Sequence, residues 1–314
     1  MPFPALKNIP VNMLLIIPPV LWGGNFVAAR YVGDALPASW LNIFRWSIAF
    51  VVLLPFGARG LVREWRFLRL DFPHLFLLSM LGVIGFNTVT YFALHDLPAN
   101  RAATIYALSP LFIILLRFVL AAQLPPSRVL LAAMLSLTGV VVGQDWSIGG
   151  MTASPMFFGP SLTMMIAALV WAIYCVALKD LKVRMSPLSS LMVQIGIEVT
   201  LQAAFVLTIW GPLDPAQLSK SVIGAALYIG VFPAAVGFLV WQAAISRARV
   251  AAAGVFMNLV PLVGVVCAWL FLSEEVSSRE LLGVGLVAIG VGMTCFETRP
   301  KFRRQLSAPV ASAE

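Results

Sequence analysis

Charge is what this chain has least of. Asp, Glu, Lys and Arg make up 11% of its 314 residues and 61% are hydrophobic, whereas a soluble domain carries about 25% charged residues. With a mean hydropathy of +0.95, a water-soluble fold is excluded. Histidine is almost missing: His74 and His95 stand near opposite ends of one apolar run, so no cluster of histidines and acids offers a metal site or a catalytic set. The three cysteines, Cys175, Cys267 and Cys295, lie inside apolar runs without paired spacing, which leaves neither a disulfide framework nor a zinc ligand set. No Gly-x-x-x-x-Gly-Lys-Ser/Thr loop is present, so the chain does not power itself with ATP. No enzyme activity and no cofactor are expected.

What the sequence has in abundance is apolar runs of roughly 18 to 25 residues, the length that crosses a hydrocarbon core of about 30 Å at 1.5 Å per residue. Ten are predicted, at 12 to 31, 38 to 57, 72 to 95, 101 to 121, 128 to 145, 160 to 179, 187 to 210, 221 to 245, 250 to 272 and 280 to 297. The expected fold is therefore an all-α integral membrane protein. The net charge of +8 sits in short connectors rather than on an amphipathic face, so it reads as membrane orientation and not as a nucleic-acid surface.

The chain repeats itself. A shift of 151 residues lays Leu108-x-Pro110-Leu111 on Leu259-x-Pro261-Leu262, Ser127-Arg128 on Ser278-Arg279, and Gly139-Val140 on Gly290-Val291. A shift of 149 pairs Trp22 and Val27-Ala28 with Trp171 and Val176-Ala177. The first run looks superficially like a signal peptide, but its counterpart in the sixth argues that it is retained. An odd number of spans per copy makes the two halves cross in opposite senses, an inverted repeat. The expected halves are 12 to 145 and 160 to 297, joined by a periplasmic linker at 146 to 159. A basic tail at 298 to 314 is expected to be disordered or to lie on anionic headgroups. One set of connectors carries 15 Lys and Arg and the other 4, which places both termini in the cytoplasm, with a bacterial inner membrane as the expected location.

These features together resemble a known family. The two five-span halves, Leu21-Trp22-Gly23-Gly24-Asn25-Phe26, Arg45 in the second span, Ser109-Pro110 in the fourth, and Pro261 through Leu272-Ser273-Glu274 in the ninth are similar to the drug/metabolite transporter superfamily, EamA type. The resemblance implies a ten-helix secondary transporter. It implies a cavity between spans 1, 3, 4, 6, 8 and 9, with spans 5 and 10 packed together away from it. The family often has an acid after the fourth span as well as the ninth; here Gln123 aligns with Glu274.

Polar groups at bilayer depth cost free energy and need a partner or a cavity. Glu198 is the only acid near the middle of a span and is the candidate for binding and releasing a coupling proton, with a structural ion pair to Arg45 as the alternative. Arg45 itself reads as a gate or interhelical brace that could also clamp a carboxylate; Arg117 reads as snorkelling to the headgroups. Pro18-Pro19 followed by Gly23-Gly24 suggests a kinked or unwound first span. Candidate substrate contacts are Trp22, Asn25, Asn87, Tyr91, Tyr106, Trp171, Tyr174, Trp241, Gln242 and Asn258, rings and amides that suit a small amphiphile. Gly139, Gly143, Gly283, Gly285, Gly290 and Gly292 read as packing positions on spans 5 and 10. One arginine, one acid, amides and rings suit a zwitterion such as an amino acid or related metabolite. A multidrug or cation exporter, a lipid flippase and a receptor are the alternatives.

The charge asymmetry makes a direct prediction. In intact cells a membrane-impermeant thiol reagent is expected to label Gly150→Cys and to spare a cysteine introduced at Ala313; the reverse pattern would overturn the orientation.

Overall fold

The computed structural model describes residues 8 to 32, 35 to 96, 102, 105 to 122, 124 to 143, 155 to 209, 212 to 272 and 277 to 295. The expected tail, most of the linker, and the Gln123 and Glu274 positions lie outside them. Among the described residues the regular structure is entirely helical.

In chain order the helices are α1 (Val11–Val32), α2 (Ala38–Leu78), a π-helical stretch (Ser79–Gly85), α3 (Phe86–Asp96), α4 (Ser109–Ala121) and α5 (Ser127–Gly143). They continue with α6 (Pro155–Asp180), α7 (Pro187–Ile209), a short 3₁₀ turn (Pro215–Gln217), α8 (Lys220–Ile229), a second π-helical stretch (Gly230–Gly237), α9 (Phe238–Ile245), α10 (Val250–Phe256), α11 (Leu259–Leu272) and α12 (Ser278–Cys295). Four helical runs, Ser39–Leu94, Gly159–Asp180, Pro187–Thr208 and Lys220–Ile245, are long and apolar enough to cross a membrane by length and composition. Apolar side chains on their outer faces, such as Phe76, Ile166, Phe205 and Leu227, are exposed, as a hydrocarbon surround requires.

Two expectations are corrected. The second and third predicted spans are not separated by a break in helix: the run Ser39–Leu94 is 56 residues long, about 84 Å if straight. It is not straight. Arg45 bonds Asn87 and Tyr91, 42 and 46 positions away, which a straight helix would hold more than about 60 Å apart. The run therefore folds back between these arms, in the stretch that holds Pro55, Gly57, Gly60 and Pro73, residues that loosen or break the i to i−4 ladder. The first span is also not unwound: α1 runs unbroken through Pro18 and Pro19. Its glycines serve close packing instead, since a Cβ on Gly23 would strike Val263 and one on Gly24 the Tyr228 hydroxyl. In addition, α6 starts at Pro155, five residues inside the expected linker.

The two π-helical stretches begin at Ser79 and Gly230, the 151-residue shift read from the sequence. Turns at Ala107 and Leu108 and at Met257 and Asn258 break two further helices at matching places. Irregular backbone has thus been duplicated along with the regular helices.

Among the described residues α5 and α12 form the most extensive helix pair. A Cβ on Gly139 would lie 2.7 Å from the Gly283 carbonyl oxygen and 2.8 Å from Leu286 Cβ, and one on Gly290 would lie 2.7 Å from the Ala132 carbonyl oxygen. Gly285 and Gly292 have open space around them and take no part in the contact. Gly139→Leu is expected to cost about 1–3 kcal/mol by overpacking this seam and Gly285→Leu almost nothing, read as melting temperatures in detergent; equal effects would mean that the seam does not hold the two helices.

Candidate functional site

A π-turn widens a helix and leaves carbonyls without their i+4 donors, and at membrane depth those oxygens need another partner. In the first π stretch, Asn87 Nδ2 donates to the Gly82 and Val83 carbonyl oxygens at 3.1 and 2.9 Å. In the second, Trp22 Nε1 donates to the Pro233 carbonyl oxygen at 2.9 Å. Pro233 stands 151 positions after Gly82, so the same point in each copy is capped by a side chain from the cavity wall. Gly237 leaves the room for this, because a Cβ there would come within 2.8 Å of the Trp22 indole nitrogen.

Between these two anchors lies a cavity with about 450 Å³ of free space, a figure that includes the open solvent at its mouth. Trp22 and Asn25 reach it from α1, Arg45 from α2, Phe86, Asn87, Thr90, Tyr91 and Leu94 from α3, Tyr106 from just before α4, Trp171 from α6, Phe238 from α9 and Val260 from α11. These are the spans the resemblance implies, with the second added through Arg45.

Arg45 is buried, and its Nη1 donates to Asn87 Oδ1 at 2.9 Å and to the Tyr91 hydroxyl at 3.1 Å. Its guanidinium carbon lies 5.0 Å from the Trp46 ring centroid and 5.9 Å from that of Phe238. The π-turn thus orients Asn87, and Asn87 orients Arg45. The guanidinium has five donors; Nε has no hydrogen-bond partner among the described residues, and the group borders the cavity. The expected brace is also a wall of the site.

The rings form a continuous cluster. Trp22 meets Trp171 edge-on at 5.2 Å and Phe238 at 5.4 Å, while Phe86 lies 4.9 Å from Trp171. Tyr106 directs its hydroxyl to Met257 Sδ at 3.6 Å, and Met257 is its own counterpart under the 151 shift. Asn25 Oδ1 is buried without a partner among the described residues.

Of the ten sequence-predicted contacts, Trp22, Asn25, Asn87, Tyr91, Tyr106 and Trp171 border the cavity. Tyr174 and Gln242 belong to a separate buried network, in which Gln242 Nε2 donates to the Tyr174 hydroxyl and to Gln194 Oε1 at 3.2 and 3.3 Å. Trp241 packs behind Trp171, and Asn258 is buried at the break between α10 and α11. Glu198 on α7 is fully buried behind the wall: Asn42 Nδ2 donates to its Oε1 at 3.1 Å, and Oε2 has no partner among the described residues. Arg45 acts on it electrostatically but spends its own hydrogen bonds on Asn87 and Tyr91. Arg117 does not snorkel freely; it pairs with Asp180. Phe86, Thr90, Phe238 and Asn42 escaped the sequence reading, the first three because apolar or small side chains in an apolar run give no signal, Asn42 because it lies only one turn inside its span.

Comparison with known proteins follows the same lines. The EamA-like transporter family model matches twice, over residues 9–142 and 160–296. The chain belongs to the EamA-like transporter family. It is 26% identical over 303 residues to a protein of Streptantibioticus cattleyicolor named as a probable terminal-alkyne amino-acid exporter, covering 94% of this chain and 96% of that one. An uncharacterized transporter of Archaeoglobus fulgidus is 23% identical over 89% of this chain and 96% of its own length. A crystal structure at 21% identity superposes with a TM-score of 0.75 over 90% of this chain and 95% of that one, which establishes the shared fold. This EamA-like chain is therefore a multi-pass membrane transporter.

The capping role of Trp22 is separable from its bulk. Trp171 Nε1 has no partner among the described residues, so Trp22→Phe is expected to cost about 1–3 kcal/mol more than Trp171→Phe through the stranded Pro233 carbonyl. Thermal unfolding in detergent measures the difference, and equal losses would remove the capping role.

Proposed function

We propose that this transporter is a secondary active carrier that exports amino acids or related small metabolites across the cytoplasmic membrane by alternating access. The observation that carries the proposal is Arg45: a buried guanidinium whose Nε has no partner among the described residues, held at the edge of a cavity walled by aromatic rings. A carboxylate is the natural partner of such a group, and the rings accept an apolar body and attract an ammonium. The relative named as an amino-acid exporter supports the same class.

The carrier is read as ten crossing helices in two inverted five-helix halves, 12 to 145 and 160 to 297, with both termini cytoplasmic. Support comes from the doubled family match, from the duplicated π stretches and helix breaks, and from the back-folded run long enough for two crossings. Substrate sites near midplane between such halves, beside interrupted helices, are how alternating access is built. Glu198 is read as the coupling group. Its carboxyl accepts from Asn42, one turn from Arg45 on the same helix, so a change in its charge is felt on the helix that carries the guanidinium. The ring cluster also favours a second reading, export of cationic drugs, which the charge of Arg45 opposes.

Counterflow in reconstituted vesicles tests this. Labelled amino acids are expected to exchange saturably, with quaternary ammonium compounds exchanging poorly. Glu198→Gln is expected to lose the component driven by an imposed pH gradient while keeping exchange, and Arg45→Gln to lose at least about tenfold in affinity, the scale of one charge-assisted pair. Folded protein that exchanges none of these compounds would remove the substrate class and bring lipid flipping or a receptor role forward.

A further inference from the structure

We propose that residues 58 to 71, the end of the back-folded helical hairpin, form a binding surface for anionic phospholipid headgroups. The segment sorts its charges by face. Arg59, Arg63, Arg66 and Arg69 recur at spacings of 4, 3 and 3 and are all exposed, which places them on one side of the helix. The acids of the segment face the other way. Glu64 Oε2 accepts from the Ser186 amide at 2.8 Å. Asp71 accepts from the Arg184 and Met185 amides at 2.7 and 3.1 Å and from Arg184 Nη1 at 3.2 Å. Glu64 Oε1 lies 3.8 Å from Arg63 Nη2, the one inward acid that also meets the basic face.

The partner is argued from what stands between the arginines. Val62, Trp65 and Leu70 are 77%, 63% and 61% exposed and alternate with them, so the surface is basic and apolar together. Nucleic acid or an acidic protein would leave those side chains in water. The bilayer boundary takes both, with Trp and aliphatic groups at the acyl edge and guanidinium groups against phosphate. The apolar surface is continuous on either side, with Leu54 and Phe56 exposed before the segment and Phe72 and Phe76 after it. The segment is also where such a surface must be, because a hairpin whose arms meet at Arg45 and Asn87 has its end at one rim of the bundle. Clusters of about four or more Lys or Arg beside a membrane helix are sufficient to select anionic lipid.

The surface has a mechanical connection. The inner face of the segment holds the backbone that leads into α7, through Glu64 and Asp71, and α7 carries Glu198. Headgroups bound outside therefore steady the helix that holds the buried acid.

The purified full chain in neutral micelles is melted with added phosphatidylglycerol or phosphatidylcholine. Phosphatidylglycerol is expected to raise the melting temperature by several degrees, and phosphatidylcholine not to. The Arg59→Gln, Arg63→Gln, Arg66→Gln, Arg69→Gln variant is expected to lose at least half of that shift, and the matching four-Lys variant to keep it. A shift of equal size in the Gln variant, or none in the wild type, would overturn the proposal. A photoactivatable phosphatidylglycerol, crosslinked to the wild type, supplies a readout that needs no variant. Label in the peptide spanning 56 to 72 supports the surface, and label confined to other helices overturns it.

Discussion

A backbone carbonyl freed inside hydrocarbon must find a donor in the protein, and in this transporter that requirement organises the centre of the molecule. Each copy of the repeat contains one π stretch, and in each a side chain donates to carbonyl oxygens at the corresponding place: Gly82 and Val83 in one, Pro233 in the other. The donors that reach them, Asn87 and Trp22, are wall residues of the cavity. The irregularity that costs the helix its hydrogen bonds thereby fixes two side chains of the site. Because Asn87 also accepts from Arg45, the orientation of the one arginine in the wall follows from the same constraint.

The rest of the architecture divides labour around this centre. The seam of α5 and α12 depends on glycines whose Cβ atoms would collide with backbone, and it stands away from the cavity. Association of helices in lipid rests on such close packing, since apolar burial gives no driving force there. Several helices that border the cavity are interrupted, with π stretches or breaks at Leu108 and Asn258, whereas α1 and α6 reach it as continuous helices.

Glu198 and Arg45 illustrate why depth in the sequence does not give geometry. Both lie far from any span end, and a direct ion pair was the simplest way to satisfy them. The structure separates them with Asn42, Asn87 and Tyr91, each taking one polar bond. Arg45 is left with Nε, and Glu198 with Oε2, unpartnered among the described residues. No hydrogen bond joins the two side chains directly.

What the sequence determined by itself was set by composition and period. The apolar runs, the scarcity of charge and the 149- and 151-residue shifts specify a helical membrane fold built twice, because the bilayer admits few other ways to satisfy a backbone. They also named six of the wall residues, since a polar or aromatic side chain in an apolar run is conspicuous. Tertiary structure decided the rest. Gly23 and Gly24 read locally as an unwound segment, but α1 is helical through them, and Val263 and Tyr228 stand where their Cβ atoms would be. Tyr174 and Gln242 read like the other candidates, yet a partner 48 positions away, Gln194, draws Gln242 out of the cavity. The fold-back that brings Arg45 to Asn87, and the docking of Glu64 and Asp71 on the backbone from Arg184 to Ser186, join residues far apart in the chain, which no local pattern encodes.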